Sequence, residues 1–270
     1  MAKRKTSLSK SNNKISILTS QGGFSFLVHS DNEVLALQHK EYETNSPENQ
    51  LENIEKLINE DLISQYQINE AHLTFDDPLF TNVPDQYFDQ EQAPHYLKYN
   101  TELLPGDYID IDNVSTLELE VVYIPIMNIN NYFVDKIGNV SYNHQMSSLL
   151  NFIKPDNNFE ENVFINRYFD NCYIIAFFKN KCHLANRFKV QTDEDLAYYL
   201  LSVIDQLKFD REKLKLLISG FITKECKAYH YFYDYVKNID FYSCSIPSEH
   251  FLFNAFTYRE TNLLCHYLSE

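Results

Sequence analysis

The amino-acid sequence predicts a mixed α/β fold, of α+β repeats, made from two tandem copies of one hairpin-led unit. Each half of the chain opens with three short runs of alternating apolar residues divided by turn chemistry. In each half an amphipathic helix and one further strand follow in the same order. Glycine is scarce: there are 5 in 270 residues, against roughly nineteen at average usage. That leaves little material for loops whose backbone N–H groups must approach a phosphate.

In the first copy, Ile15 and Ile17 alternate with polar residues, as do Phe24, Phe26 and Val28, and Val34, Leu35 and Leu37 follow. Gln21-Gly22-Gly23 and Asp31-Asn32 supply the turns, so the segment reads as a three-stranded meander. Ser46 suits the cap of the next helix, Pro47 its first position and Glu48 its positive end. Leu51, Ile54, Leu57, Ile58 and Leu62 form one apolar stripe, and AHLTF then reads as a strand ending at Asp76-Asp77-Pro78.

The second copy repeats the order, displaced by roughly 145 residues. VFINRYFDNCYIIAFFKNKCHLANRFKV reads as three strands turning at Asp170-Asn171 and Lys179-Asn180-Lys181. Thr192 and Asp195 form a capping box ahead of a stripe of Leu196, Tyr199, Leu200, Val203, Ile204 and Leu207. LKLLISG, Leu214 to Gly220, supplies the following strand. Between the copies, Leu117 to Ile124 reads as a strand, Asn128 to Lys136 as a helix closed by Gly138, and Met146 to Ile153 as another helix. Lys154-Pro155-Asp156-Asn157-Asn158 marks the boundary between the copies. Beyond Gly220, Lys224 to Ile239 is expected as an aromatic-rich helix, FYSCSI as a strand and Glu249 to Tyr258 as a last helix.

Composition narrows the function classes. No apolar run approaches the roughly 18 residues of a membrane span, and the basic start MAKRKTSLSKSNNK has no apolar stretch behind it. The 5 cysteines form no C-x-x-C pair, which fits reduced thiols in a cytoplasm rather than disulfides or zinc. The 9 histidines make no H-E-x-x-H, and no metal site is expected. A net charge of −15 opposes a broad nucleic-acid footprint.

Two units of this layout resemble the actin-like ATPase superfamily of sugar kinases, heat-shock chaperones and actin. The middle segment sharpens this. VYIPIMNINNYFVDKIGNVSYNHQMSSLL, preceded by GDYIDID, resembles a family of uncharacterised bacterial proteins of unknown function with that fold. Tyr123-Ile124-Pro125, Asn128-Ile129-Asn130-Asn131-Tyr132, Asp135, Gly138 and His144 carry the resemblance, and DLAYYLLSVIDQL and LLISGFITKECKAYHYFYDYV look like the same family. The resemblance implies duplicated ribonuclease-H-like units forming two lobes. Residues 1–13 are then a disordered basic tail, 14–154 the first lobe and 155–270 the second.

Active members of that superfamily bind ATP and magnesium between the lobes, and the corresponding loops can be located here. The first-strand turn usually carries Asp-x-Gly; here it is Thr19-Ser20-Gln21-Gly22-Gly23, without the acid. The matching turn of the second copy, Phe169-Asp170-Asn171-Cys172, has an acid but no glycine. Ser219-Gly220 is half of the paired-glycine adenosine signature. Ser20, Gln21, Gly22, Asp170, Ser219 and Gly220 are therefore the candidate nucleotide contacts, and Asp76 and Asp77, at the end of the fourth strand, the candidate general bases.

Three further features admit blander readings. Asp107, Asp110 and Asp112 lie near one strand face, expected as a solvated edge. The run from Tyr229 to Tyr235 is expected to pack within or between lobes, and Asn128 to Tyr132 to fix the lobe interface. The expected function is a catalytically degenerate actin-like protein that binds another protein without any cofactor. The alternative is a live ATP-binding enzyme transferring phosphoryl groups, and an RNA-associated factor is disfavoured by the charge.

Overall fold

The computed structural model describes residues 13–30, 34–42, 47–99 and 101–242. Residues 1–12 of the expected basic tail, the Asp31-Asn32 turn, the Ser46 cap, most of the FYSCSI strand and the helix at 249–258 lie outside those residues, and Asn13, expected in the tail, begins the first strand.

Strands β1 (Asn13–Ser20), β2 (Gly23–His29) and β3 (Val34–Glu41) form the expected antiparallel meander. Helices α1 (Pro47–Leu57) and α2 (Glu60–Tyr66) follow, and β4 (Ile68–Asp76) returns parallel to β1. The apolar stripe predicts one helix through Leu62, but the helix breaks at Asn59. That residue is extended, and its side chain accepts the Leu62 N–H at 3.1 Å, capping a second helix.

Next come β5 (Phe80–Pro84), α3 (Ala93–Leu97), β6 (Asp110–Val114) and β7 (Leu119–Tyr123). These strands form a separate antiparallel sheet in the order β5-β7-β6. The sequence pattern predicts β7, and the alternation of GDYIDID reads as a strand where β6 begins; β5 is not predicted. Helix α4 (Met127–Ile137) ends at Gly138, whose φ of +88° suits glycine, and leads into β8 (Val140–His144) and α5 (Gln145–Phe152).

The second half supplies β9 (Glu161–Tyr168), β10 (Asn171–Phe178), β11 (Lys181–Lys189), α6 (Asp193–Leu207), β12 (Lys215–Gly220), α7 (Lys227–Tyr235) and β13 (Asn238–Phe241). Lys179 and Asn180 both take left-handed φ values, as a two-residue hairpin turn requires. The Thr192–Asp195 capping box is present in full. The β9–β10 turn sits one residue earlier than expected, with Phe169 at φ +51°, so Asn171 belongs to β10.

The two large sheets have the same strand order, β3-β2-β1-β4-β8 and β11-β10-β9-β12-β13. The repeat read from periodicity is thus a repeat of topology. The central strands β9, β10 and β12 of the second sheet are buried on both faces, which explains their nearly continuous apolar runs. Val163, Ile165, Ile174, Leu216 and Ile218 share a core with α6 and α7. Phe164, Tyr173, Ile175, Phe177 and Leu217 point the other way, into one core with Ile54, Phe133, Met146 and Leu149 of the first lobe.

Two aromatic expectations change. The helix expected to reach Ile239 ends at Tyr235, because Ile239 pairs with Leu216 in β13. Ala228 and Phe232 are buried and Tyr229 stacks on Phe241 at 5.6 Å, so this run packs its own lobe, leaving Tyr233 and Tyr235 exposed. The Asn128–Tyr132 run likewise acts inside the first lobe. The Tyr132 hydroxyl donates to Ile58 O at 2.8 Å, tying α4 to the end of α1, while Ile129 and Phe133 are buried.

Gly220 closes β12 at φ +76°, and a Cβ there would meet Arg167 O at 2.0 Å. The Phe221 N–H donates to that same carbonyl at 2.8 Å. Left-handed backbone alone costs a non-glycine residue about 1–2 kcal/mol, and the contact with β9 backbone adds to it. Gly220→Ala is therefore expected to lower stability by at least about 2 kcal/mol in chemical denaturation. A variant as stable as the parent would contradict this reading of the strand end.

Candidate functional site at the lobe junction

The topology brings the three expected loops together at the carboxyl ends of β1, β4, β9 and β12, where ligands of open α/β sheets commonly sit. Ser20 is buried and closes its own turn: its hydroxyl donates to Gly23 O at 3.1 Å and accepts from Gly22 N–H at 3.3 Å. Gln21 is half-buried at the turn tip. Asp170 lies directly opposite. A Cβ on Gly22 would meet Asp170 Oδ1 at 2.6 Å, and one on Gly23 would meet the Phe169 ring at 2.7 Å.

The third loop is engaged in the same way. Ser219 is buried and accepts from Asn166 Nδ2 at 2.6 Å. Just beyond Gly220, the Phe221 ring meets Phe169 edge-on at 5.1 Å and His39 at 5.5 Å. The Tyr168 hydroxyl crosses the junction, donating to Leu18 O at 3.1 Å and lying 2.8 Å from Ser25 Oγ. Protein atoms fill the space between the two turns.

Asp76 is the centre of the junction. It is fully buried, and Asn171, Tyr173 and Arg187 reach its carboxylate from the second lobe. Asn171 Nδ2 donates to Oδ2 at 3.0 Å, and Tyr173 OH and Arg187 Nε both donate to Oδ1 at 2.6 Å. The Arg187 side chain is 7% exposed, so the ion pair is shielded from water and salt. Asp77 faces elsewhere: its carboxylate accepts Leu79 N–H at 2.9 Å, and burial pushes its pKa up.

These residues do not fit a magnesium nucleotide. The first turn has no acid, the Asp170 side chain abuts Gly22 of that turn, and the Asp76 carboxylate is already taken by three donors. Among the described residues, no group of three or more His, Cys, Asp or Glu could hold a metal ion. Spacing did not single out Arg187 or Tyr173. The one available signal was an arginine among the inward-alternating residues of HLANRFK.

A second polar centre lies beside the first. Asp112, expected on a solvated edge, is half-buried where the small sheet packs on α5. Its carboxylate accepts from Tyr123 OH at 3.1 Å, His144 N–H at 2.8 Å and Ser147 Oγ at 2.5 Å. Asp110 accepts from Tyr142 OH at 2.6 Å, and Asp107 from Leu104 N–H at 2.7 Å. His144 Nδ1 accepts from Met146 N–H, and Nε2 lies 2.9 Å from Asp77 O, which fixes a neutral ring protonated at Nε2. Burial pushes the Asp112 carboxyl up to about 6, against its three donors, and burial pulls His144 down to about 4.

Two predictions arise from these centres. Removing one partner of a buried pair strands the other, so Arg187→Met is expected to cost about 3–5 kcal/mol. Adding Asp76→Asn should recover part of that loss; strict additivity in denaturation would contradict the pairing. Asp112 holds its proton more tightly folded than unfolded, so its contribution to stability fades as pH rises from about 4 to about 6. His144 holds its proton less tightly folded, so its contribution grows over the same interval. Asp112→Asn should therefore steepen the gain in stability with rising pH, and His144→Asn should flatten it. Denaturant melts with pH profiles parallel to the parent would contradict both assignments.

Similar proteins locate this architecture. A crystal structure from Bacteroides thetaiotaomicron, a protein with actin-like ATPase fold and unknown function, superposes with a TM-score of 0.72 at 20% identity, covering 86% of this chain and 91% of that one. A PilM-PilN type IV pilus biogenesis complex gives a TM-score of 0.61 at 8% identity, with 94% and 97% covered. The AlfA filament of a Bacillus subtilis plasmid gives 0.51 at 9% identity, with 96% and 99% covered. Such likenesses establish the fold, a duplicated actin-like ATPase architecture of two lobes. A search of curated proteins finds no match. The family model described as Protein of unknown function (DUF3822) matches residues 2–239, and the chain belongs to that family.

Proposed function

We propose that the chain is a protein-binding, catalytically degenerate member of the actin-like fold, with the lobe junction serving as a structural seam. The observation that carries this reading is the contact between the two turns: Gly22 and Gly23 abut Asp170 and Phe169, and Asp76 is consumed by Arg187, Tyr173 and Asn171. Phosphoryl transfer in such a site depends on positioned cationic groups and magnesium around the phosphates. Here the nearest residue across the first turn is an acid, and Arg187 is committed to Asp76.

A protein partner is compatible with the fold, since one structure of similar architecture is the PilM-PilN complex. Cys172, Cys182 and Cys226 are free thiols, as a reducing cytoplasm would keep them. No helix among the described residues is long and apolar enough to cross a membrane.

Calorimetry of the full chain with Mg-ATP tests the reading. No heat of binding is expected up to millimolar nucleotide. Micromolar affinity would overturn it and favour an ATP-binding enzyme.

A further inference from the structure

The two copies differ most between their last two strands. Residues 221–237 join β12 to β13, whereas residues 77–139 join β4 to β8 and carry the small sheet as well as α4. The repeat does not require that sheet, and binding residues sit disproportionately on segments held out by a rigid scaffold. The chain between β5 and β6 folds as a cap on the sheet. Ala93 and Leu97 of α3 are buried with Val83 and Val122, and Phe88 and Tyr96 pack against them. Tyr96 fixes the turn before α3: its hydroxyl donates to Tyr87 O at 2.8 Å and accepts Asp89 N–H at 2.9 Å.

Two properties coincide on the solvent side of this cap. Among the described residues eight large hydrophobic side chains are exposed, and Tyr87, Tyr99, Leu104 and Tyr108 are four of them. A single exposed apolar side chain is ordinary, so it is the concentration that marks the surface. Asp85, Asp89, Glu91 and Glu102 are exposed on the same segment, and none is in an ion pair with a described residue. Lys98 is the single Lys or Arg between positions 85 and 109.

We infer that the cap binds a Lys- and Arg-rich segment of a partner protein. Carboxylates attract cationic side chains over a distance, and the face of a tyrosine ring takes an ammonium or guanidinium directly. The protein makes that pairing elsewhere, where the Arg211 guanidinium lies 5.7 Å from the centre of the Tyr235 ring. Among the described residues no cation sits over Tyr87, Tyr99 or Tyr108. A second copy of this chain suits the surface poorly, because its own net charge is −15. The inference rests on the protein-binding reading and names the chemistry of the partner.

Random dodecapeptides displayed on phage and panned on the full chain provide the probe. Recovered peptides are expected to be enriched in Lys and Arg and to slow hydrogen exchange of the amides between Asp85 and Ile109. Their affinity should fall about tenfold on Tyr87→Ala with Tyr99→Ala. Glu91→Gln with Glu102→Gln should weaken them more than Asp61→Asn with Asp135→Asn, a control pair of exposed acids outside the cap. Recovery of no peptide, peptides without that enrichment, protection at another surface, unchanged affinity for the tyrosine variant, or equal losses for the two acid pairs would each overturn the assignment. So would cap amides that lose protection when residues 2–12 are deleted, which would make the chain's own basic start the occupant. Calorimetry with Mg-ATP bears on the protein-binding reading alone, so the two fail separately.

Discussion

A buried carboxylate cannot stay ionised in an apolar seam without strong partners, and the architecture of this protein is organised around meeting that demand at Asp76. The carboxylate arrives at the end of β4, and its three donors arrive on β10 and β11 of the other lobe. Neither lobe can bury Asp76 alone. The ion pair therefore requires the lobes to be closed together, and closure presses Phe169 and Asp170 onto the Gly22–Gly23 turn.

The surrounding packing is consistent with that demand. Phe164, Tyr173, Ile175 and Phe177 bury their outer face against the first lobe rather than against helices of their own. The small sheet is fastened by a second carboxylate, Asp112, reached by Tyr123, Ser147 and the backbone of His144. Since His144 also bonds Asp77 O, next to Asp76, the two polar centres are linked through one short stretch of chain. Between the Gly22–Gly23 and Phe169–Asp170 turns, where the resemblance put the nucleotide contacts, the protein packs its own side chains.

Much of the fold was legible because its elements are local. Alternation with Gly22, Lys179 and Asn180 at the turns marked the hairpins, and the Thr192–Asp195 box marked α6 to the residue. The five-residue strands β5 and β8 were not legible, since their pairing comes from distant chain and their sequences carry no clean period. The break at Asn59 hid because the apolar stripe continues across it. For the candidate site, sequence reading found the right loops, including Asp76, Asp170 and Gly220, but not what those residues touch. Arg187 and Tyr173 join Asp76 only through the tertiary arrangement. The alternation of GDYIDID said nothing of the hydroxyls that make Asp112 a half-buried hub rather than a solvated acid.

The claim that the junction is a permanent seam can be read most directly from three backbone amides around it. Tyr42 N–H bonds to Gly22 O, Val190 N–H to Asp170 O and Phe221 N–H to Arg167 O. Native-state hydrogen exchange of the full chain should show these amides opening only with global unfolding, at rates unchanged by millimolar Mg-ATP. Exchange by low-energy local opening, or protection that appears on adding nucleotide, would contradict the account and show a cleft that opens to a ligand.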